Sequence, residues 1–142
     1  MSEIPEIGVG MVGYGFIGKV HTYAYINVPL FYDPFPCRTR LVGVCTGHIE
    51  SARKAQQQVG YAFATTDYRE LLDRGDIHII NCCTPNDLHY DLLMDALKAG
   101  KHVYCDKPLA LNLKQAQDLC EVAAQTTGKH QMTFEYRFIP AI

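Results

Sequence analysis

The sequence has no tryptophan, no clustered run of lysine and arginine, no apolar stretch long enough to span a bilayer, and no low-complexity segment or internal repeat. These absences exclude whole classes of function. With 13 basic residues against 15 acidic ones, a net charge of −2, the chain carries no electrostatic footprint for a polyanion, and nucleic acid is excluded as its main partner. The opening "MSEIPEIG" has acid and proline where a secretory signal would have a basic and then an apolar segment. The expected location is therefore the cytoplasm, with no membrane partner.

Zinc-ligand spacing is missing as well. Cysteines stand at 37, 45, 82, 83, 105 and 120, with no Cys-x-x-Cys and no Cys/His pair at metal-site intervals. The expectation is reduced, mostly buried thiols and no metal centre. One qualification comes from the sheet argued below. It brings Cys82 or Cys83 and Cys105 to the ends of neighbouring strands, where a soft metal or an oxidant could find two sulfurs together.

What is present is a chain of 142 residues, 48% of them hydrophobic, enough for one domain with a proper core. Apolar, β-rich runs alternate with helical patterns. Strands are expected at 7–12, 41–45, 61–64, 77–82, 102–105 and 131–136, and helices at 16–27, 51–59, 68–74, 87–99 and 113–126. Asp67 with Glu70 and Asn112 with Gln115 have capping-box spacing, and Gly60, Gly75, Gly100 and Gly128 each follow a helical pattern where a left-handed residue would close it. In the last helix Leu113, Ala116, Cys120, Ala123 and Ala124 are expected to face a sheet.

Helices of this length between strands imply right-handed crossovers, and the apolar "IHIINCC" suits a strand covered on both faces. The expected fold class is α/β, a doubly wound parallel sheet of the Rossmann, NAD(P)-binding type. Its count of about six strands closes near residue 136. The irregular stretch from Pro29 to Pro36, with Phe31, Tyr32 and Phe35, either packs across the sheet edge or offers a contact surface.

"GYGFIG" puts Gly13, Tyr14, Gly15, Phe16, Ile17 and Gly18 at the first strand-to-helix junction, the context in which a G-x-G-x-x-G binds a dinucleotide. Gly13 would make the tight turn, Gly15 would let a pyrophosphate approach the backbone, and Gly18 would let helix and strand pack closely. At the end of the second strand, "VCTGHIESARK" offers Thr46 where NAD-binding chains often have a carboxylate. Arg53 and Lys54 stand near it, a set that favours NADP over NAD, although Glu50 could still reach a ribose.

The segment "CCTPNDLHYDLLMDALKAGKHVYCDKPLALN", together with "GYGFIG" and "FEYRFIPA", resembles the family of glucose-fructose oxidoreductase, inositol dehydrogenase and rhizopine-catabolism-protein-like enzymes, the GFO/IDH/MocA family. The resemblance runs through essentially the whole chain. It implies an NAD(P)-dependent oxidoreductase acting on a sugar, polyol or inositol-like small molecule, forming a homo-oligomer when full length. "DKP" stands where that family usually has Glu-Lys-Pro, which makes Lys107 the catalytic residue and Asp106 a carboxylate one methylene shorter, beside the nicotinamide ribose. An ammonium at that place can stabilise charge developing on the reacting oxygen. Pro108 would shape the turn and mark a bond at which to look for a cis peptide.

By the same resemblance Cys83, Thr84 and Pro85 pass along the cofactor. Asn86 and His89 either join them or act only as capping and packing groups, and His21 is left without a catalytic role. The family's remaining acid/base residues, an Asp and a His, lie in a second α/β domain. Residues 1–130 are accordingly expected to be the NAD(P)-binding domain and 131–142 the last strand and the way into that second domain, with Glu135 where the family commonly has Asn. The rival expectation is a dinucleotide-binding regulatory or scaffold module without turnover.

Overall fold

The computed structural model describes residues 4–140. Six strands, β1 (Glu6–Val12), β2 (Arg38–Cys45), β3 (Phe63–Thr65), β4 (Ile79–Cys82), β5 (His102–Cys105) and β6 (His130–Met132), form one sheet in the order β3-β2-β1-β4-β5-β6. Every neighbouring pair is parallel. The chain builds outward from β1 to β3, then returns to β4 beside β1 and builds the other way. The order therefore reverses between β1 and β4, and their carboxyl ends diverge into a crevice there.

The central strands are apolar because both faces are covered: Val9, Met11, Val12, Ile80 and Cys82 are all buried. Five helices cover them, α1 (Phe16–Asn27), α2 (Ile49–Val59), α3 (Arg69–Leu72), α4 (His89–Lys98) and α5 (Leu113–Ala124). On α4, Leu92, Leu93, Ala96 and Leu97 recur at helical spacing and enter one core cluster with Ile80, Cys82, Val103 and Leu119. Met11, Val44, Ala55 and Tyr61 form a second cluster. The sheet register skips Val42 between the pairs Val9/Leu41 and Gly10/Gly43, so Val42 joins Cys45 in the first cluster and Leu41 joins Val44 in the second.

Helix ends follow local chemistry in part. The Asn112 side chain accepts from Gln115 N–H at 3.0 Å, and the Gln115 side chain reaches back to Leu111 N–H at 3.1 Å. The Asp67 carboxylate accepts instead from Arg69 N–H at 3.0 Å. Gly60 and Gly100 are left-handed with φ of 84° and 71°, whereas Gly75 and Gly128 are not among the positive-φ residues.

Three sequence-based expectations are corrected. The buried residue of α5 is Leu119, flanked by half-buried Ala116, Val122 and Ala123, while Leu113, Cys120 and Ala124 face outward. The last strand ends at Met132, and Glu135–Phe138 is a 3-10 turn, because the alternating Phe134, Tyr136 and Phe138 have no layer to bury them in the described residues. Phe31 and Tyr32 do not pack across the sheet edge; they are exposed, and of the three aromatics in that stretch only Phe35 is half-buried. No helix of the described residues is long and apolar enough to cross a membrane.

Candidate functional site

The carboxyl ends of β1, β2 and β4 open into a cleft of about 800 Å³. Gly13, directly after β1, is left-handed with φ of 89°, and a Cβ there would stand 2.3 Å from Cys83 O. Its N–H donates to Cys45 O at 2.9 Å, which binds the turn across the end of β2. Gly15 begins α1 with no side-chain cap and no acid in the first turn, and a Cβ on it would meet nothing within 4 Å. The helix start therefore presents free N–H groups and its positive dipole end to the cleft, an anion-binding arrangement. Gly18 is different. Its Cβ would lie 2.2 Å from Gly13 O, so it permits helix and loop to touch and does not itself line the cleft.

Tyr14, Phe16 and Ile17 line the cleft beside Gly13 and Gly15. The Tyr14 ring meets Tyr61 edge-on at 6.0 Å, and burial raises its phenol above the ordinary value. Behind it the Thr22 hydroxyl lies 2.7 Å from Gly18 O and 2.7 Å from Tyr61 OH, tying α1 to the second core cluster. At the end of β2, Thr46 lines the cleft with its hydroxyl donated to His48 O at 2.7 Å. Cys83, Thr84 and Pro85 form the wall after β4, and Asp106, nearly buried, closes it after β5. Asp106 N–H donates to Cys82 O at 2.9 Å, extending the β4–β5 ladder by one step. Burial raises the Cys83 thiol to about 12, so it sits in the wall as a neutral group.

Besides Gly18, five expected site residues lie off this cleft. Arg53 is exposed on α2 and does not line it. Asn86, in a 3-10 turn before α4, is exposed, as are Lys107 and Pro108 on the turn after β5, where Lys107–Pro108 is a cis peptide. His89 is fully buried beneath the floor. Its ring nitrogens lie 2.8 Å from Pro108 O and 2.9 Å from Thr84 O, so it clamps the two loops that form the wall. Burial opposes charge on this ring, but the adjacent Cys82 and the two carbonyls outweigh it and lift its pKa to about 9. A hydrogen bond from Cys105 lowers the Cys82 thiol in turn, with help from His89, while Cys105 is raised.

Sequence reasoning missed part of the wall. Ser51 at the start of α2, Thr66 after β3, Tyr68 and Arg69 at α3, and Leu88 and Asp91 at α4 all line the cleft. The Tyr68 hydroxyl donates to Asp95 at 2.7 Å, and Arg69 lies over the Tyr68 ring. On the other side of the α1 start is a hollow of about 570 Å³, sharing Phe16, Ile17 and Asp106 with the cleft. His21 lines it, stacked on Tyr104 at 5.1 Å and in contact with Asn81, so its ring is held in packing.

With this geometry in hand, comparison with known proteins gives a consistent result. Residues 7–134 match the model of the GFO_IDH_MocA group, "Oxidoreductase family, NAD-binding Rossmann fold", and the chain belongs to that family. It is 34% identical over 137 residues to levoglucosan dehydrogenase of Pseudarthrobacter phenanthrenivorans, covering 96% of this chain and 35% of that protein. It is 35% identical over 122 residues to an inositol 2-dehydrogenase/D-chiro-inositol 3-dehydrogenase of Lactiplantibacillus plantarum, covering 85% of this chain and 33% of that one. The structure of levoglucosan dehydrogenase with NADH and L-sorbose superposes with a TM-score of 0.91 at 33% identity, over 94% of this chain and 36% of the other. An oxidoreductase domain protein from Kribbella flavida gives 0.88 at 36% identity, over 93% and 35%. The chain thus spans about a third of the length of the curated relatives it matches.

Proposed function

We propose that this member of the NAD-binding Rossmann oxidoreductase family holds a nicotinamide dinucleotide in the cleft and forms the cofactor-binding part of a dehydrogenase. The whole enzyme would pass a hydride between the cofactor and a hydroxyl or keto carbon of a sugar, polyol or inositol, the substrate class named for its relatives. The observation that carries this reading is the continuity of the wall, from the bare start of α1 at Gly15 to Asp106 at the end of β5. The pyrophosphate would sit on the N–H groups of Phe16 and Ile17, the adenosine between Thr46, Ser51 and Tyr68, and the nicotinamide toward Thr84 and Asp106.

When bound, the cofactor supplies hydride donation and acceptance; this chain's residues bind and orient it. Asp106, held by Cys82 O and closing the wall, would accept from the nicotinamide ribose. Lys107, exposed on the turn directly after it, would bring its ammonium to the reacting oxygen and stabilise charge there. The rest of the acid/base relay and the substrate wall would come from the part of the relatives' length that this chain does not span. Homo-oligomerisation and a cytoplasmic location belong to the same reading.

NAD(H) suits the cleft better than NADP(H). Arg53 does not line the cleft, and the cation that does, Arg69, is flanked by Asp67 and Asp95 at 3.7 Å each. A 2′-phosphate would have to compete with those carboxylates.

Titration of the chain with NADH, followed by nicotinamide fluorescence on a background free of tryptophan, is expected to saturate at one equivalent, with weaker binding of NADPH. No binding of either would refute the reading. In a form of the protein reaching the length of its relatives, Lys107→Ala should cut turnover strongly and leave NADH affinity intact. Binding without turnover in that form would favour a regulatory or scaffold module.

A further inference from the structure

Three side chains with no part in the proposed dinucleotide chemistry meet under the cleft floor. Cys82 ends β4 and Cys105 ends β5, and the two are register partners, so their side chains leave the sheet side by side. His89, at the first position of α4, covers them. All three are buried, and their ligand atoms lie within 4.8 Å of one another. Their chemistry is that of a borderline-soft cation: two sulfurs and an imidazole nitrogen.

The separations fit such an ion. A tetrahedron with zinc–sulfur bonds of about 2.3 Å and zinc–nitrogen or –oxygen bonds of about 2.0–2.1 Å has edges of roughly 3.5–3.6 Å from sulfur to nitrogen or oxygen. Cys105 Sγ lies 3.6 Å from His89 Nδ1, and Cys82 Sγ lies 3.5 Å from Thr84 Oγ1. Two edges of the tetrahedron are therefore already at length. The other ring nitrogen of His89 stands 2.9 Å from Thr84 O, the kind of backbone-carbonyl contact that orients a metal-ligating histidine, while Nδ1 is engaged by Pro108 O at 2.8 Å and must leave that carbonyl to reach an ion.

We propose that Cys82, Cys105 and Nδ1 of His89, with the Thr84 hydroxyl in the fourth position, form a binding site for a divalent d10 cation of the zinc type. Charge selects the divalent ion. Two thiolates and a neutral imidazole cancel a 2+ ion, and only a neutral assembly escapes the large cost of burying net charge among Ile80, Leu92 and Val103. A monovalent soft ion would leave a buried negative charge. Binding releases the thiol protons and the Nδ1 proton, so that Nδ1 gives up its 2.8 Å contact with Pro108 O. Occupancy is thereby coupled to the turn that carries Lys107.

Anaerobic titration of the reduced chain with Co2+ reads the site directly. The expected result is a set of intense tetrahedral visible bands with sulfur-to-metal charge transfer, saturating at one equivalent and discharged by Zn2+. Serine at the half-buried Cys37 and the exposed Cys120 should leave the spectrum unchanged. Cys82→Ser or Cys105→Ser should weaken binding at least tenfold and lose charge-transfer intensity. A pale six-coordinate spectrum without charge transfer, or one that disappears with Cys37 and Cys120, would overturn the proposal. Should the buried-cysteine variants fail to fold, the wild-type and Cys37/Cys120 titrations still decide it.

Discussion

Gly15 and Gly18 are three residues apart on the same loop and helix, and substituting alanine at each should have opposite consequences. At Gly15, φ is −74° and ψ −155°, a conformation open to any residue, and a Cβ would meet nothing within 4 Å. Alanine there gains about 0.4–1 kcal/mol by restricting the unfolded chain, and loses about as much as a poorer helix cap than glycine, so stability should change by less than about 0.5 kcal/mol. At Gly18 the new Cβ would stand 2.2 Å from a backbone oxygen that cannot rotate away, so α1 must shift by about 1 Å against its loop. Overpacking of this kind costs roughly 1–3 kcal/mol, only partly offset by the better helix propensity of alanine. A loss of about 2 kcal/mol lowers the melting temperature of a domain this size by about 6 °C.

Binding should reverse the order of the two variants. The methyl of Gly15→Ala stands where a pyrophosphate must approach, and losing one charge-assisted hydrogen bond of about 1.5–3 kcal/mol weakens NADH roughly 10- to 100-fold. Calorimetric titration with NADH and thermal melts of both variants separate the two effects. If Gly15→Ala folds normally and binds NADH as well as the wild type, the pyrophosphate does not lie at Gly15. If it melts as early as Gly18→Ala, the loop geometry is wrong.

Further outcomes follow from other contacts. Asp76 accepts from both Arg74 nitrogens at 2.8 Å and from Arg40 at 3.1 Å, and these bonds, those of Arg74 first, hold its carboxyl far below the usual range. Its stabilising effect is present above the unfolded pKa of about 4 and is lost as pH falls below it. Asp76→Asn should flatten that acid limb in urea melts, by a small amount because these side chains are more than a third exposed; an unchanged acid limb would count against the ion-pair network. Thr22→Val strips the partner from Tyr61 OH and should cost about 1–2 kcal/mol in thermal or urea melts without changing NADH affinity. Arg69→Glu should change nucleotide affinity in calorimetry and Arg53→Glu should not, since only Arg69 lines the cleft; the reverse order would put the adenosine elsewhere.

Much of the fold was legible because two signals agreed: apolar runs of strand length, and helical patterns ended by glycine. They failed where burial is one-sided. Around Phe134, Tyr136 and Phe138 the sequence alternates as a strand should, yet alternation yields a strand only where a covering layer rewards one face, and beyond Met132 the described residues provide none. The α5 face was displaced for a related reason. Its small residues form two overlapping stripes, and only contact with α4 and β5 selects the one containing Leu119.

The site divides along the same line. Gly13 and Gly18 of the glycine loop were readable because their positions demand glycine, Gly13 at φ of 89° and Gly18 with a Cβ that would lie 2.2 Å from Gly13 O, whereas the wall from Cys83 to Pro85 was read from the family resemblance. Tyr68, Arg69 and Asp91 reach the cleft only because β3, β2 and β1 lie side by side and α4 returns over β4, information held in the strand order and in no local motif. His89 shows how the two kinds of information combine. Its position three residues after Asn86 suggested either cofactor contact or packing, and nothing local could choose. The fold chooses, by placing Pro108 O and Thr84 O at 2.8 and 2.9 Å on opposite sides of one ring. Those carbonyls belong to the loops after β5 and β4, so a residue that does not line the cleft sets the spacing of the two walls that do. Removing its ring should therefore disturb cofactor binding through the walls while leaving the glycine loop in place, which is how a positioning residue differs from a contact residue.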